Sequence, residues 1–389
     1  MTQQIPDQSS IYYLSRRDFF RRYILGGLGT IASLMFPPWV IADIHSLKQT
    51  TSTTDVSLHE ARYWDSLPDG KIQCKLCPNG CVLSNNELSR CHARMPKNNK
   101  LYTLGYGKLC VLVEDPLAKN PLFHVAPGAN AIGCATAGCN LTCSYCQNWE
   151  FSQTSPLKTR NISLTPAELV QKTMERKLKW ITFSYTEPVV YYEYLIDTAR
   201  IAHENGVKIA VATAGSICPE PLQELIKHTD AFSVTLKGYS EEFYQQVCGC
   251  KLKDVHATIK TIAQSGVWLE IATLIVPGMN DAPEGIKSIA RFIAEINPKI
   301  PLHFLRFYPA YKLRNLQPTP LLTLERAHAI ATAEKLQYVY IDLPGHQASA
   351  TYCPKCKHLL VERAGFTILK NLLRNKKCPQ CSYPVPGLW

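Results

Sequence analysis

Three closely spaced cysteines give this 389-residue chain its sharpest chemical signal. They are Cys139, Cys143 and Cys146, in the run Cys139-Asn140-Leu141-Thr142-Cys143-Ser144-Tyr145-Cys146. A cubane iron–sulfur cluster is normally held by four thiolates, so C-x3-C-x2-C leaves one iron without a protein ligand. An open iron binds a small molecule and does chemistry on it, which a fully ligated electron-transfer cluster does not. A zinc site would instead favour paired C-x2-C knuckles with four ligands in all. This run, flanked by Gly138 and by Gln147-Asn148-Trp149, lacks that pattern.

Two further groups have ligand spacing. Cys74, Cys77 and Cys81, with Cys91 following, supply four thiols for zinc or for a second iron site. Cys353, Cys356, Cys378 and Cys381 form two C-x2-C pairs, each holding a turn-forming Pro, and predict a zinc ribbon; a pair of disulfides is the alternative after export. Sixteen cysteines used mostly in such groups point to metal binding in a reducing compartment. Cys110, Cys134 and Cys218 stand outside these groups, and Cys248 and Cys250 are spaced too tightly for a knuckle. Hydrophobic residues make up 46% and charged ones 19%, which excludes a disordered chain. The net charge of +11 comes without a long basic run or a nucleic-acid motif, so no nucleic-acid partner is expected.

The amino terminus points elsewhere. Ser15-Arg16-Arg17-Asp18-Phe19-Phe20, an apolar run over 23–35 and the small-residue end Val40-Ile41-Ala42 look like a twin-arginine export signal. The same stretch is near the roughly 20 residues of a membrane-spanning anchor, and so allows membrane contact through the N-terminus. Both readings carry the domain beyond the membrane, whereas chemistry at low potential is cytoplasmic, and the localisation stays open between them.

Elements must then position these groups. Apolar runs at 131–136, 180–184, 208–213, 231–237, 268–276 and 302–307 read as strands. They alternate with amphipathic stretches at 166–177, 189–204, 219–228, 255–264 and 286–296, as a parallel α/β fold requires. The expected fold is a partial (β/α)6 barrel, extended by a unit at 324–334 and 338–341. The expected divisions are a signal or anchor at 1–44, a linker at 45–68, an N-terminal Cys-rich module at 69–125, the barrel at 126–345 and the ribbon at 346–389. Polar residues gather after the strands, on the face where parallel barrels build active sites.

The Cys139–Cys146 spacing resembles the signature of the radical S-adenosylmethionine (SAM) superfamily. The resemblance implies a 4Fe–4S cluster on Cys139, Cys143 and Cys146 whose open iron chelates SAM, and a 5′-deoxyadenosyl radical that abstracts hydrogen. Candidate SAM contacts follow from the strand ends. Glu187, in Ser184-Tyr185-Thr186-Glu187-Pro188, can pair with an ammonium group. Tyr145 can stack on adenine or pack the loop, and Thr213 and Gly215 end the third strand where backbone can approach a ligand. Lys237 is a candidate for carboxylate binding or proton transfer, and Arg306 for anion binding through its fork of donors, ahead of His303 and Tyr308.

More specifically, the chain resembles the radical SAM enzyme of the AmmeMemoRadiSam system, close to pyruvate formate-lyase activating enzymes. The carriers are the run from Cys74 to Cys81, the segment from Asp115 to His124, the run from Gly138 to Trp149, Tyr185-Thr186-Glu187-Pro188, the run from Thr273 to Gly278, Pro318-Thr319-Pro320 and the closing cysteine pairs. Three positions depart from the family pattern. Ala214 stands where Asn is usual and Thr235 where Asp is usual, while Ser89-Arg90 precedes Cys91 in place of Gly-x. The resemblance implies a low-potential donor such as flavodoxin or ferredoxin, and a substrate that includes a glycyl site on a partner protein among its candidates. The competing reading is a non-catalytic iron–sulfur and zinc protein for electron transfer or scaffolding.

Overall fold

Strands covered by helices on one face and by a barrel interior on the other must be apolar nearly throughout, and the runs read from the sequence are. The computed structural model describes residues 58–389; the signal or anchor expected over 1–44 and most of the linker lie outside the described residues. Among the described residues, no helix is long and apolar enough to cross a membrane. One eight-stranded sheet dominates. Its strands are β1 (Val111–Pro116), β2 (Asn130–Ala135), β3 (Trp180–Phe183), β4 (Lys208–Thr213), β5 (Ala231–Thr235), β6 (Trp268–Ile275), β7 (Leu302–Arg306) and β8 (Val339–Ile341). They lie side by side in chain order, β2 to β8 parallel and β1 antiparallel to β2. β1 and β8 are edges that do not pair with each other, so the barrel stays open.

Each strand from β2 to β7 is followed by a helix: α1 (Pro166–Glu175), α2 (Tyr192–Glu204), α3 (Pro219–Lys227), α4 (Leu252–Ser265), α5 (Pro283–Ile296) and α6 (Leu321–Ala333). The chain is therefore an open α/β barrel of six strand–helix units, with β8 as the expected extension. Local chemistry sets the helix starts. Thr165 and Glu168 form a reciprocal capping box ahead of α1, and α1, α3 and α5 each open on a Pro whose missing N–H is not needed there. α2 begins later than its sequence pattern suggests. Pro188–Tyr191 makes a 3-10 turn first, because the Glu187 side chain accepts the Val189 N–H.

The strand-start end of the barrel is a structural anchor. Glu270 in β6 is wholly buried and accepts the N–H of Phe123 at 3.0 Å, of His124 at 2.9 Å, of the Trp268 indole at 3.0 Å and of His303 Nε2 at 2.8 Å. Burial favours its neutral form, but His303 and His124 hold its carboxyl below the usual range. His303, a candidate for reaching a pocket, thus faces this anchor instead. The C-terminal ribbon docks at the same end: Arg363 donates to the Phe123 carbonyl at 2.8 Å, and Leu388 N–H to the His124 carbonyl at 2.8 Å. His124 donates from Nδ1 to the Pro386 carbonyl at 2.8 Å and accepts the Tyr340 hydroxyl at Nε2, at 2.6 Å.

A pH dependence follows. Burial pushes the His124 imidazole down to about 4, whereas an unfolded chain takes up that proton near 6.5. Stability is therefore full above the unfolded value and is lost as pH falls from there toward the folded one. The expected loss from this group between pH 7 and pH 5 is about 2 kcal/mol, read from urea titrations at the two pH values.

Candidate active site

The loop after β2 carries the three cysteines, and four other parts of the chain pin it, two through its backbone and two through its Asn side chains. Cys139 N–H donates to the Cys91 carbonyl at 3.2 Å, Thr142 N–H to the Cys248 carbonyl at 2.9 Å, and Ser144 N–H to the Val247 carbonyl at 2.9 Å. Asn140 donates to the Ser216 carbonyl at 2.7 Å, and Asn148 to the Tyr185 carbonyl at 2.6 Å. Gly138 takes φ +107°, and a Cβ there would lie 2.5 Å from the Cys91 carbonyl oxygen. Replacing Gly138 with Ala is expected to cost roughly 1–3 kcal/mol of stability and to loosen the loop, seen as a lower urea midpoint with lower iron retention.

The thiols converge. Burial, then the Glu187 carboxylate and the Cys143 and Cys146 thiols, push the Cys139 thiol well above its ordinary value. Cys146 accepts or donates at 3.2 Å with the Ser152 hydroxyl. Yet the three sulfurs are not closed around one ion. Among the described residues, the only set of three or more His, Cys, Asp or Glu whose ligand atoms all lie within 4.8 Å of one another is Cys353, Cys356, Cys378 and Cys381. There, the sulfurs of Cys353 and Cys381, and of Cys356 and Cys378, stand 3.6 Å apart, close to the roughly 3.8 Å edge of a zinc tetrahedron with 2.3 Å bonds. A four-iron cube separates its thiolates by the width of the cube as well, so the wider Cys139 loop suits a cluster.

Glu187 sits beside it, 3% exposed. Its carboxylate accepts the Thr213 hydroxyl at 2.6 Å, the Ala214 N–H at 2.8 Å and the Val189 N–H at 3.3 Å. Burial still raises its pKa, the three donors opposing. Among the described residues no Lys, Arg or His makes an ion pair with it within 4.0 Å. Ala214 keeps the backbone bond to Glu187, so the usual Asn side chain at that position is not required for it. Gly215 N–H donates to the Thr213 hydroxyl at 3.0 Å, fixing the donor that serves Glu187.

Lys237, after β5, holds Nζ 5.9 Å from the Tyr145 ring centre. Burial would depress its ammonium, but Cys143, Cys248 and Cys139 around it push it up. Tyr145 is 4% exposed, its ring stacked at 6.3 Å on Phe243 and its hydroxyl 3.6 Å from the Cys248 sulfur. Arg306, at the end of β7, donates from Nε to the Thr319 carbonyl at 2.8 Å and lies over the Tyr308 ring at 5.3 Å. Thr235 is half-buried at the end of β5.

The ribbon cysteines lie with the anchor at the opposite end of the barrel from this loop, the face that reads as stability rather than catalysis. Cys248 is the neighbour that spacing alone did not suggest. A π-helical turn, Tyr244–Cys248, brings its sulfur 3.6 Å from the Tyr145 hydroxyl and close enough to Cys143 to act on its charge, and such turns recur at functional sites.

Comparison with known proteins agrees with this geometry. The model of the Radical SAM superfamily matches residues 134–293. Uncharacterized protein MJ0808 of Methanocaldococcus jannaschii is 40% identical over 332 residues, covering 84% of this chain and 99% of that protein. The pyruvate formate-lyase-activating enzyme of Clostridium pasteurianum is 29% identical over 197 residues, 46% of this chain and 81% of that one. Among solved structures, SuiB of Streptococcus suis bound to S-adenosylmethionine aligns with a TM-score of 0.46 at 13% identity, over 61% of this chain and 56% of that one. The chain belongs to the radical SAM superfamily and is an activating-enzyme-like radical SAM enzyme.

Proposed function

We propose that this enzyme cleaves SAM reductively and uses the 5′-deoxyadenosyl radical to take hydrogen from a glycyl site on a partner protein, in the role of the AmmeMemoRadiSam-system enzyme. The observation that carries the reading is the convergence of three thiols, too wide for one ion, beside a buried carboxylate that forms no ion pair among the described residues. A 4Fe–4S cluster, when bound, supplies the electron and an open coordination site for SAM.

The chain's own residues do the rest. Cys139, Cys143 and Cys146 would hold three irons of that cluster. Glu187, held rigid by Thr213 and Ala214, would accept the ammonium group of SAM's methionine part as the direct ion-pair partner that the described residues do not provide. Gly215, at φ +74°, turns the chain close against Val234 and Val255 and keeps its N–H on the Thr213 hydroxyl. Tyr145 packs the loop from beneath through Phe243 and Cys248. Lys237 offsets the negative charge of the thiolates, and Arg306 offers Nη1 and Nη2 to a carboxylate. The ribbon is assigned a structural zinc, and the electron comes from flavodoxin or ferredoxin.

The test is turnover of the anaerobically loaded enzyme with SAM and dithionite. Equimolar methionine and 5′-deoxyadenosine support the reading; intact SAM over a fully loaded and reduced cluster overturns it in favour of electron transfer or scaffolding. Relatives named as activating enzymes, such as that of Clostridium pasteurianum, motivate a protein substrate. Deuterium transfer from glycine-labelled candidate partners to 5′-deoxyadenosine then identifies the hydrogen removed.

A further inference from the structure

We propose that Cys74, Cys77, Cys81 and Cys91 hold a second iron–sulfur cluster that passes electrons to the cluster on Cys139. The two groups of cysteines touch. Cys91 and Cys139, one from each group, are joined by a single hydrogen bond from the Cys139 N–H to the Cys91 carbonyl, at 3.2 Å. Asn79, inside the N-terminal knuckle, donates to the Asn140 carbonyl at 2.8 Å, and Asn140 in turn reaches the Cys77 thiol. Gly138 leaves no room between them, since even a methyl group would strike the Cys91 carbonyl. Electron transfer falls off steeply with distance, so two clusters held by hydrogen-bonded neighbours exchange electrons readily.

The four thiols form a set. Cys74, Cys77 and Cys91 are 6%, 9% and 8% exposed. Cys91 and Cys74 both lie close enough to the Cys77 thiol to act on its charge. Cys81 faces Cys74 across the hairpin of Ile72–Cys74 and Val82–Leu83: the pairing of Ile72 with Leu83 and of Gln73 with Val82 places Cys81 opposite Cys74, whose N–H donates to its carbonyl at 2.9 Å. Residues directly opposite on an antiparallel pair share a face.

These thiols are not gathered within 4.8 Å, as the ribbon cysteines of the same chain are. That contrast favours a cluster over a single zinc ion. The surroundings suit an anionic, redox-active group. Arg94 is 1% exposed, with Nη1 4.0 Å from the Cys74 sulfur and Nη2 2.5 Å from Glu193, while its Nε has no partner. Ser89 Oγ lies 3.1 Å from the Cys91 sulfur. Donors to cluster sulfurs and burial are the levers that set reduction potential.

The step is a one-electron relay. A low-potential one-electron donor protein is oxidised by one electron, the second cluster is reduced and then reoxidised, and the cluster on Cys139 gains the electron; no atom or proton moves. The relay rests on the proposed function, but the presence of the second cluster does not.

The experiment is metal and sulfide analysis of the anaerobically loaded full chain, with electron paramagnetic resonance of the reduced protein before and after adding SAM. The expected result is about eight irons per chain and two signals, one of them altered by SAM. A Cys74→Ser/Cys91→Ser variant is expected to lose about four irons and the SAM-insensitive signal. It should keep the SAM-sensitive signal, and lose at least about tenfold in deoxyadenosine formation driven by flavodoxin relative to that driven by dithionite. About four irons with two zinc ions in the wild-type chain overturns the proposal, whatever the fate of the variant. Equal loss with both reductants overturns the relay. Two signals, neither responding to SAM, would leave the second cluster standing while removing the proposed function.

Discussion

Replacing Cys143 with Ala is expected to abolish 5′-deoxyadenosine formation, a fall of more than about a thousandfold, while the barrel stays folded. Cys143 sits at the centre of its loop, 8% exposed, and only two of the three thiolates remain without it. The fold does not lean on its side chain. The loop is pinned through backbone and amide bonds to Cys91, Val247, Cys248 and Ser216, none of which the substitution removes. Iron content should drop with unchanged circular dichroism and an urea midpoint close to wild type. Undiminished deoxyadenosine from the variant would mean that the cluster is held elsewhere.

The second large effect is on stability. Glu270→Ala is expected to cost about 3–5 kcal/mol, because it leaves buried donors unpaired. Four donors meet on this carboxylate: two backbone N–H groups from the segment that crosses under the barrel, an indole and an imidazole. None is replaced by water at a wholly buried position. A wild-type urea midpoint in Glu270→Ala would contradict this account of the anchor. The ribbon docks on the same segment through Arg363 and Leu388, so its loosening should appear as easier removal of metal from Cys353, Cys356, Cys378 and Cys381 by chelators.

What the sequence disclosed, and what it hid, follows from the range of each signal. β3, β4, β6 and β7 are mostly apolar and largely buried, Glu270, His303 and Arg306 being among the charged or titratable exceptions, and their bounds read from composition to within one residue. The Cys139 loop and the two ribbon knuckles are local in sequence, so spacing reveals them. β1 escaped notice because its residues are partly exposed and end on Glu114, Asp115 and Pro116, which no strand pattern marks; only pairing with β2 makes it a strand. Cys248 escaped because its partner Cys143 lies far away in the chain, and the π-helical turn that joins them has no composition of its own. The contact of Cys91 with Cys139 is likewise non-local. Glu187 was legible as a strand-end carboxylate, but its donors Thr213 and Ala214 come from the neighbouring strand end.

The central claim is that one iron of the cluster on Cys139, Cys143 and Cys146 has no protein ligand and takes SAM. Electron–nuclear double resonance of the reduced enzyme, with SAM labelled by 15N at the amino group and 17O at the carboxylate, tests this directly. The account predicts hyperfine coupling to both labels, present in the wild type and weakened in Glu187→Gln, which lacks the charge that draws the ammonium group in. A reduced cluster that shows no coupling to either label would contradict it and identify a fully protein-ligated centre.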